Sequence, residues 1–330
     1  MRRVALITVF LIVIGIGVFL GAFPASRFSV DNRAAFQITE LEAKEITMAF
    51  VGDIMLSRAI GKLMVTKQDY TFPFASTSEV IHSADIAFGN LENPISEQGV
   101  LSGSIYSFRA DPQVVEGLKV AGFDIVSIAN NHIWDYGKDA FNDTLKNLLE
   151  NEIVAVGGGE NYDEAHIPKI ITVGDTRIAF LAYTNLISTS LGLASSTPSV
   201  ARYNDETLAN DIARAKELTD FVVVSFHWGE EYKIKHNSEQ ERVGKLAIDS
   251  GANIVVGHHP HVIQEVEQYS GGWIAYSLGN FIFDQNFSKD TQRGLVLLVT
   301  VKDNKTLSVK EKQVAFNDDY QPYFVEEASE

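Results

Sequence analysis

The sequence predicts an α/β fold behind a single N-terminal transmembrane helix. Three observations carry this reading. An uncharged apolar run extends from Val4 to Phe23, five short β-branched runs each end abruptly in polar residues, and amphipathic helical stretches lie between those runs. Alternating strands and helices mark a layered α/β domain. Hydrophobic residues make up 45% of the 330 and charged residues 21%, ordinary globular values that exclude wholesale disorder.

At the N-terminus, Arg2 and Arg3 precede the apolar run and Asp31, Glu40 and Glu42 follow it. Twenty residues at 1.5 Å rise span roughly 30 Å, the thickness of a bilayer core. The positive-inside rule puts the N-terminus in the cytoplasm and the chain after Phe23 outside. The competing reading is a cleaved signal peptide, whose apolar region would run about 7–15 residues to a small-x-small site. Gly21-Ala22-Phe23-Pro24-Ala25 offers no clean site of that kind. The expectation is an uncleaved anchor in the cell membrane over residues 1–23, a polar extracytoplasmic stalk over 24–45, and one domain over 46–330. Gly17 and Gly21 have GxxxG spacing, which alone is weak evidence of helix pairing.

Charge and cysteine usage exclude several classes. There are 27 Lys and Arg against 43 Asp and Glu, a formal charge of −16. A general nucleic-acid binder needs the opposite sign, so no nucleic-acid partner is expected. Any phosphate or carboxylate ligand requires a local cation. With no cysteine, disulfides, thiolate zinc sites, Fe–S clusters and a cysteine nucleophile are excluded.

The five runs come in chain order. The first is Ile46 to Asp53, the second Asp85 to Glu92, and the third Phe123 to Asn130-Asn131-His132. The fourth is Phe221 to His227, and the fifth is Asn253 to His258-His259-Pro260-His261. Nearly continuous apolar runs of this length suit strands buried on both faces. Between them, Asp111-Pro112 caps and starts a helix to about Ala121. Lys138–Asn151, Glu206–Leu218 and Ser238–Ser250 read as amphipathic helices, the last stopped by Gly251. Gly157-Gly158-Gly159 reads as a flexible turn.

Ligands of α/β folds sit at the carboxyl ends of strands. Here five such ends deliver Asp53, Glu92, Asn131 with His132, His227, and His259 with His261. A lone Asp after a strand is usually a turn or capping residue, and a lone His-Trp pair is usually packing. All five motifs share one topological position, however, and can meet in one cleft. Carboxylate, carboxamide and imidazole together suit a divalent metal such as Mn, Fe or Zn. A bridging carboxylate can hold two ions, which activate water and clamp a phosphoryl group. No G-x-S-x-G elbow and no G-x-x-x-x-G-K-[ST] loop is present.

These segments resemble the CapA family of bacterial capsule-synthesis proteins, associated with poly-γ-glutamate. The resemblance rests on Gly52-Asp53-Ile54-Met55-Leu56-Ser57-Arg58, Asn90-Leu91-Glu92-Asn93-Pro94, and Ala129-Asn130-Asn131-His132 with Asp135-Tyr136-Gly137. It continues through His227-Trp228-Gly229-Glu230-Glu231-Tyr232, Gly257-His258-His259-Pro260-His261 and Ser277-Leu278-Gly279-Asn280-Phe281-Ile282-Phe283-Asp284. That family is similar to the calcineurin-like metallophosphoesterases, which implies a two-sheet sandwich flanked by helices (α/β/β/α).

The resemblance implies one or two divalent ions held by Asp53, Glu92, Asn131, His227, His259 and His261. His132 is implied as the proton donor and Arg58 as the group that grips an anionic oxygen. Met55 stands where the superfamily has a histidine, so one metal site lacks a ligand. His258 is then a spare imidazole, and Asp135, Glu231, Asn280 and Asp284 are the groups expected to orient the others. Two functions follow. One is a membrane-anchored hydrolase acting on a phosphoester or polymer bond of a phosphorylated or anionic-polymer substrate. The other is a non-catalytic accessory subunit that works with other capsule-synthesis membrane proteins.

Overall fold

The computed structural model describes residues 45–103, 105–187 and 197–325. The expected anchor over 1–23, with Gly17 and Gly21, lies outside these residues, as does the expected stalk apart from its final residue. No helix among the described residues is long and apolar enough to cross a membrane.

Sixteen strands occur among the described residues. In chain order they are β1 (Ile46–Ile54), β2 (Ile86–Leu91), β3 (Ile125–Ser127), β4 (Val154–Val156), β5 (Gly158–Gly159), β6 (Lys169–Val173), β7 (Thr176–Thr184) and β8 (Ser199–Val200). They continue with β9 (Phe221–His227), β10 (Ile254–His258), β11 (Val266–Tyr269), β12 (Gly272–Ala275), β13 (Asn280–Ile282), β14 (Arg293–Lys302), β15 (Lys305–Phe316) and β16 (Pro322–Phe324). Seven α-helices accompany them: α1 (Arg58–Lys67), α2 (Ser78–His82), α3 (Val114–Ala121), α4 (Gly137–Glu150), α5 (Tyr162–His166), α6 (Asp205–Leu218) and α7 (Ser238–Ser250).

The strands form two main sheets. One has the order β16-β15-β14-β1-β2-β3-β4, with β13 also paired to β1; the other has the order β11-β12-β10-β9-β7-β6. The sheets face each other, as the period-2 alternation of side chains requires. In β7, Ile178, Phe180 and Ala182 join the core shared with the first sheet, and Phe180 stacks on Phe88 of β2 at 5.9 Å. The alternate residues Ala179, Leu181 and Tyr183 pack instead with Leu208 and Ile212 of α6 and Val243 and Ala247 of α7. Strands covered on both faces read as the continuous apolar runs seen in the sequence. The architecture is therefore mixed α/β, with a helical layer outside each sheet.

Local chemistry fixes the elements that carry the site. The helix expected to be capped and started by Asp111-Pro112 begins instead at Val114: its N-cap is Gln113, without a side-chain cap, and the Asp111 carboxylate closes the preceding turn by accepting from Gln113 N at 2.8 Å. Helix α7 opens with an Asn237–Gln240 capping box and closes on Gly251 in the left-handed conformation (φ 118°). A second expectation is corrected here. Gly157-Gly158-Gly159 is not a flexible turn: Gly158 and Gly159 form β5, paired with β8, and all three are buried. A Cβ on Gly157 would lie 2.6 Å from both the Ala129 Cβ and the Ala182 carbonyl oxygen, so this is close packing.

Candidate metal centre

Parallel pairing brings the carboxyl ends of β1, β2 and β3 together in the first sheet, and those of β7, β9 and β10 together in the second. The five expected strand ends therefore open onto one region between the sheets. Asp53 lies where the β1–β2 register shifts, and such irregularities re-aim a side chain. Gly52 precedes it because a Cβ there would meet the Gly279 carbonyl oxygen at 2.0 Å.

Beyond β10 the chain turns through His259 (φ 96°) and His261 (φ 57°), both in the left-handed region. Backbone of this kind in non-glycine residues gathers at functional sites. The turn swings both rings back over Asp53, whose Oδ2 accepts from His259 N at 3.2 Å.

Glu92 is the centre of the arrangement. It is fully buried, and neither carboxylate oxygen has a hydrogen-bond partner. Its Oε1 lies 3.6 Å from His261 Nε2, 3.8 Å from His227 Nε2 and 3.9 Å from His132 Nε2. These separations are too long for hydrogen bonds. They suit atoms sharing an ion held at about 2.0–2.2 Å from each ligand. Two potential ligand groups result, Glu92 with His259 and His261, and Asp53 with Glu92 and His227. Within each, the ligand atoms lie within 4.8 Å of one another. Glu92 is common to both, the position of a bridging carboxylate. The donor set therefore fits a divalent ion, and the ring Nδ1 of His259, buried without a partner, fits it too.

Neighbouring groups orient the rings. Asn280 donates from Nδ2 to the Thr291 carbonyl oxygen at 2.9 Å, which leaves its Oδ1 to accept from His261 Nδ1 at 3.0 Å. His261 Nε2 is thereby turned toward Glu92. Asp135 accepts from Phe108 N at 2.8 Å and lies 2.8 Å from His132 Nδ1. His132 Nε2 is left facing Glu92 and the cleft. His227 Nε2 lies 2.7 Å from Asn131 Oδ1, so imidazole and carboxamide aim at the same spot.

Electrostatics favour a cation. Burial raises the Glu92 carboxyl well above the ordinary range, and the nearby Asp53 carboxylate adds to the effect. Burial opposes ionisation of Asp53 as well, but the hydrogen bond and charge of His261, with His258 and His227, outweigh it and hold Asp53 below the usual range. Burial, then the charge of His259, pushes His227 well down; burial and His261 push His259 down to about 3. His227 and His259 are thus held as neutral imidazoles, the form that binds a metal, and a cation beside Glu92 would favour the ionised carboxylate that burial disfavours.

Other expected residues are placed differently. His258 points between the sheets, with Nε2 3.2 Å from the Val51 carbonyl oxygen and Nδ1 3.3 Å from Ser225 Oγ. It ties the two sheets together and touches no ligand group. Met55 is buried, and its sulfur accepts from Ser57 N and Oγ at 3.2 and 3.0 Å. Arg58 is paired with Asp284 through both Nε and Nη2, and Asp284 also accepts from Ala59 N at 3.2 Å. Its Nη1 has no partner among the described residues. Glu231 contacts the Tyr232 hydroxyl, which burial and then the Glu231 charge push up to about 12.

Three contributors have roles that the sequence motifs do not assign. Asn90 donates to Asp53 Oδ1 at 2.7 Å and lies 3.2 Å from His227 Nδ1, locking carboxylate and imidazole together. Asn130 donates to Asn90 Oδ1 and the Leu91 carbonyl oxygen, and accepts from His132 N. Phe108 lies against the His132 ring at 4.1 Å, with the Arg58 guanidinium 5.1 Å from its own ring. Period-2 alternation puts residues 90 and 92 on one face of β2, a signal that could have found Asn90. Above the buried cluster opens a cleft of about 490 Å³, lined by Arg58, Asn131, His132, Tyr232 and His261 among others.

A family model described as the bacterial capsule synthesis protein PGA_cap matches residues 47–285. The chain belongs to that family. Every residue of the buried cluster falls inside the matched span. The chain is 33% identical over 280 residues to the capsule biosynthesis protein CapA of Bacillus anthracis, covering 82% of this chain and 68% of that one. It is 34% identical over 257 residues to the PGA biosynthesis protein CapA of Bacillus subtilis (strain 168), covering 76% and 67%. Among solved structures, a novel phosphatase from Mycoplasma pneumoniae superposes with a TM-score of 0.54 at 16% identity, covering 83% of this chain and 94% of that one. At that identity the likeness shows the fold, which is the phosphoesterase type that the resemblance implies.

Proposed function

We propose that this PGA_cap protein is a membrane-anchored, metal-dependent hydrolase working outside the cell on a phosphoester or on a bond of the capsule polymer. The observation that carries the reading is Glu92, a buried carboxylate with two unpartnered oxygens facing three imidazoles at 3.6–3.9 Å. Asp53, Glu92, Asn131, His227, His259 and His261 hold one or two ions of the Mn, Fe or Zn type. A bound divalent ion supplies Lewis acidity and an activated water there.

The chain's own residues do the rest. Asp135 fixes His132 so that Nε2 presents its proton to the leaving group. Phe108 covers one face of that ring and excludes water from it. Asp284 holds Arg58 in place, leaving Nη1 to face developing negative charge. Asn280 and Asn90 keep the His261 and His227 rings in register with Glu92. The apolar run at residues 4–23 supports anchoring with the domain outside.

Intact cells carrying the chain should turn over an added membrane-impermeant phosphomonoester or γ-glutamyl peptide, and an impermeant chelator should stop it. Turnover seen only after lysis would contradict the exterior placement. Its absence in both preparations would contradict the hydrolase.

One observation favours a second reading, a non-catalytic accessory subunit of capsule synthesis. Met55 is engaged with Ser57 and offers no ligand, so the ion set is one side chain short of the superfamily pattern. The His132→Gln variant separates the two readings. Capsule yield falls if the site turns over and is unchanged if the site only binds.

A further inference from the structure

An apolar rim that the metal chemistry does not use lies at the mouth of the cleft above Glu92. Tyr106, Tyr232 and Phe287 line that cleft and are exposed. Ile105 and Ile234, 88% and 62% exposed, neighbour Tyr106 and Tyr232 in the chain. These side chains come from three separate loops, so the patch is a tertiary construction. An exposed apolar patch gathered at a cleft mouth marks a binding surface.

The exposure is held in place. Tyr232 N donates to the Pro260 carbonyl oxygen at 2.8 Å from left-handed backbone (φ 65°), and Gln264 Nε2 donates to the Lys233 carbonyl oxygen at 2.8 Å. The Phe287 ring meets the Tyr232 ring edge-on at 5.0 Å, and Tyr232 stacks over the His261 ring at 6.1 Å. Rings therefore lead from the buried cluster to solvent in two short steps.

The rim is also balanced in charge within an acidic chain. Residues 99–108 carry no charge, and on the other two loops Lys233, Lys235 and Lys289 are matched by Glu230, Glu231 and Asp290. An anionic polymer finds no excess of cations here, and an anionic bilayer meets no excess of acid. Tyrosines with polar tips, and lysines with long stems beside isoleucine and phenylalanine, are the composition of a membrane interface. Under the proposed anchoring, residues 24–44 tether the domain to a bilayer and span at most roughly 75 Å.

We propose that this rim docks on the bilayer surface and that the cleft takes the headgroup of a phosphoester carrying long alkyl chains. The proposal rests on the anchored-hydrolase reading and names its substrate class. In the hydrolysis, the oxygen of water bonds to phosphorus and the bond from phosphorus to the lipid oxygen breaks. His132 protonates that lipid oxygen. Of the water's two protons, one stays on the inorganic phosphate and one makes good the proton that His132 gave up.

The test uses the full chain, with Mn²⁺, reconstituted into vesicles of phosphatidylglycerol and phosphatidylcholine in equal parts. The chain has no cysteine, so Ile234→Cys takes a single environment-sensitive dye. Leu149→Cys, at an exposed position near the C-terminus of α4, is the control. The dye at position 234 should shift to the blue and be quenched by brominated lipid, and the dye at 149 should do neither. Phosphatidic acid in the vesicles and free glycerol phosphate then serve as substrates with and without alkyl chains. Ile105→Asp combined with Ile234→Asp should lower turnover of phosphatidic acid by about ten-fold or more, since it exchanges two buried apolar side chains for charges. Turnover of glycerol phosphate and bound Mn²⁺ should match wild type, and the corresponding pair of leucine substitutions should restore phosphatidic acid turnover.

Dyes at 234 and 149 that respond alike would overturn the docking. So would an unresponsive dye at 234 together with a loss of capsule yield in cells carrying the double aspartate variant, which would assign the rim to a protein partner. Equal effects of that variant on both substrates would overturn the substrate class. A quenched dye at 234 with neither phosphoester turned over by wild type would count against the hydrolase and leave the docking standing, which keeps the two failures apart.

Discussion

Glu92→Gln should abolish metal binding while leaving the metal-free protein at least as stable as wild type. The two effects have opposite causes. Glu92 is fully buried with neither oxygen partnered, and burial together with Asp53 disfavours its charge. In the metal-free state the carboxylate therefore contributes only a desolvation cost. Gln has the same shape without the charge. Glu92 is also the residue common to both potential ligand groups, so neither group is complete without it. Loss of a group that only orients a ligand costs about 10–100-fold in affinity, and loss of the shared ligand should cost at least about 100-fold. An ion at about 100 times its Kd stabilises the wild-type fold by roughly 2.7 kcal/mol, and that increment should vanish in the variant. Thermal unfolding of both proteins, with and without added Mn²⁺, checks both halves. A variant destabilised without metal and still stabilised by it would contradict the account.

His132→Gln is expected to have the second large effect, on turnover and not on metal. His132 Nδ1 is committed to Asp135 at 2.8 Å, and Nε2 lies 3.9 Å from Glu92 Oε1 at the edge of the cleft. That is the geometry of a group that hands over a proton. General acid catalysis contributes about 10²–10⁴-fold, so kcat should fall by that order while bound metal stays unchanged. Asp135→Asn should lower kcat less, because the ring remains but its orientation is no longer held by a carboxylate. Steady-state kinetics with metal analysis on the same samples measures this. A fall in metal content parallel to kcat would make His132 a ligand instead.

The legible part of this protein is the part governed by local periodicity. Runs such as Phe221 to His227 are apolar throughout because both faces of β9 are covered, one by the other sheet and one by α6 and α7. Their polar ends stood out against that background. His258 shows the limit of reading motifs as blocks. It belongs to the strand, and alternation places it with Ile254 and Val256 on the face between the sheets. His259 and His261 follow the strand and turn through left-handed backbone to reach Glu92.

What stayed illegible depends on distant partners. Arg58 and Asp284 are 226 positions apart, and nothing local says that the guanidinium is already paired. Phe108 comes from a stretch without helical or strand periodicity, so its place against His132 is a tertiary fact. The Arg293–Lys302 and Lys305–Phe316 hairpin carries no site residue and was not read as strands. Its outer strand is exposed or half-buried at every position but Val314, so it lacks the continuous apolar signal of the inner ones.

The most direct measurement is the metal content of the full chain, purified gently in detergent and then reconstituted with Mn, Fe or Zn. It would be determined by mass spectrometry alongside Asp53→Ala and His259→Ala. The expected result is one or two ions per wild-type chain and a loss of bound metal in both variants, since the two residues belong to different potential ligand groups that share Glu92. A wild-type protein that holds no ion after reconstitution, or variants that hold as much as wild type, would contradict a metal centre between the two sheets.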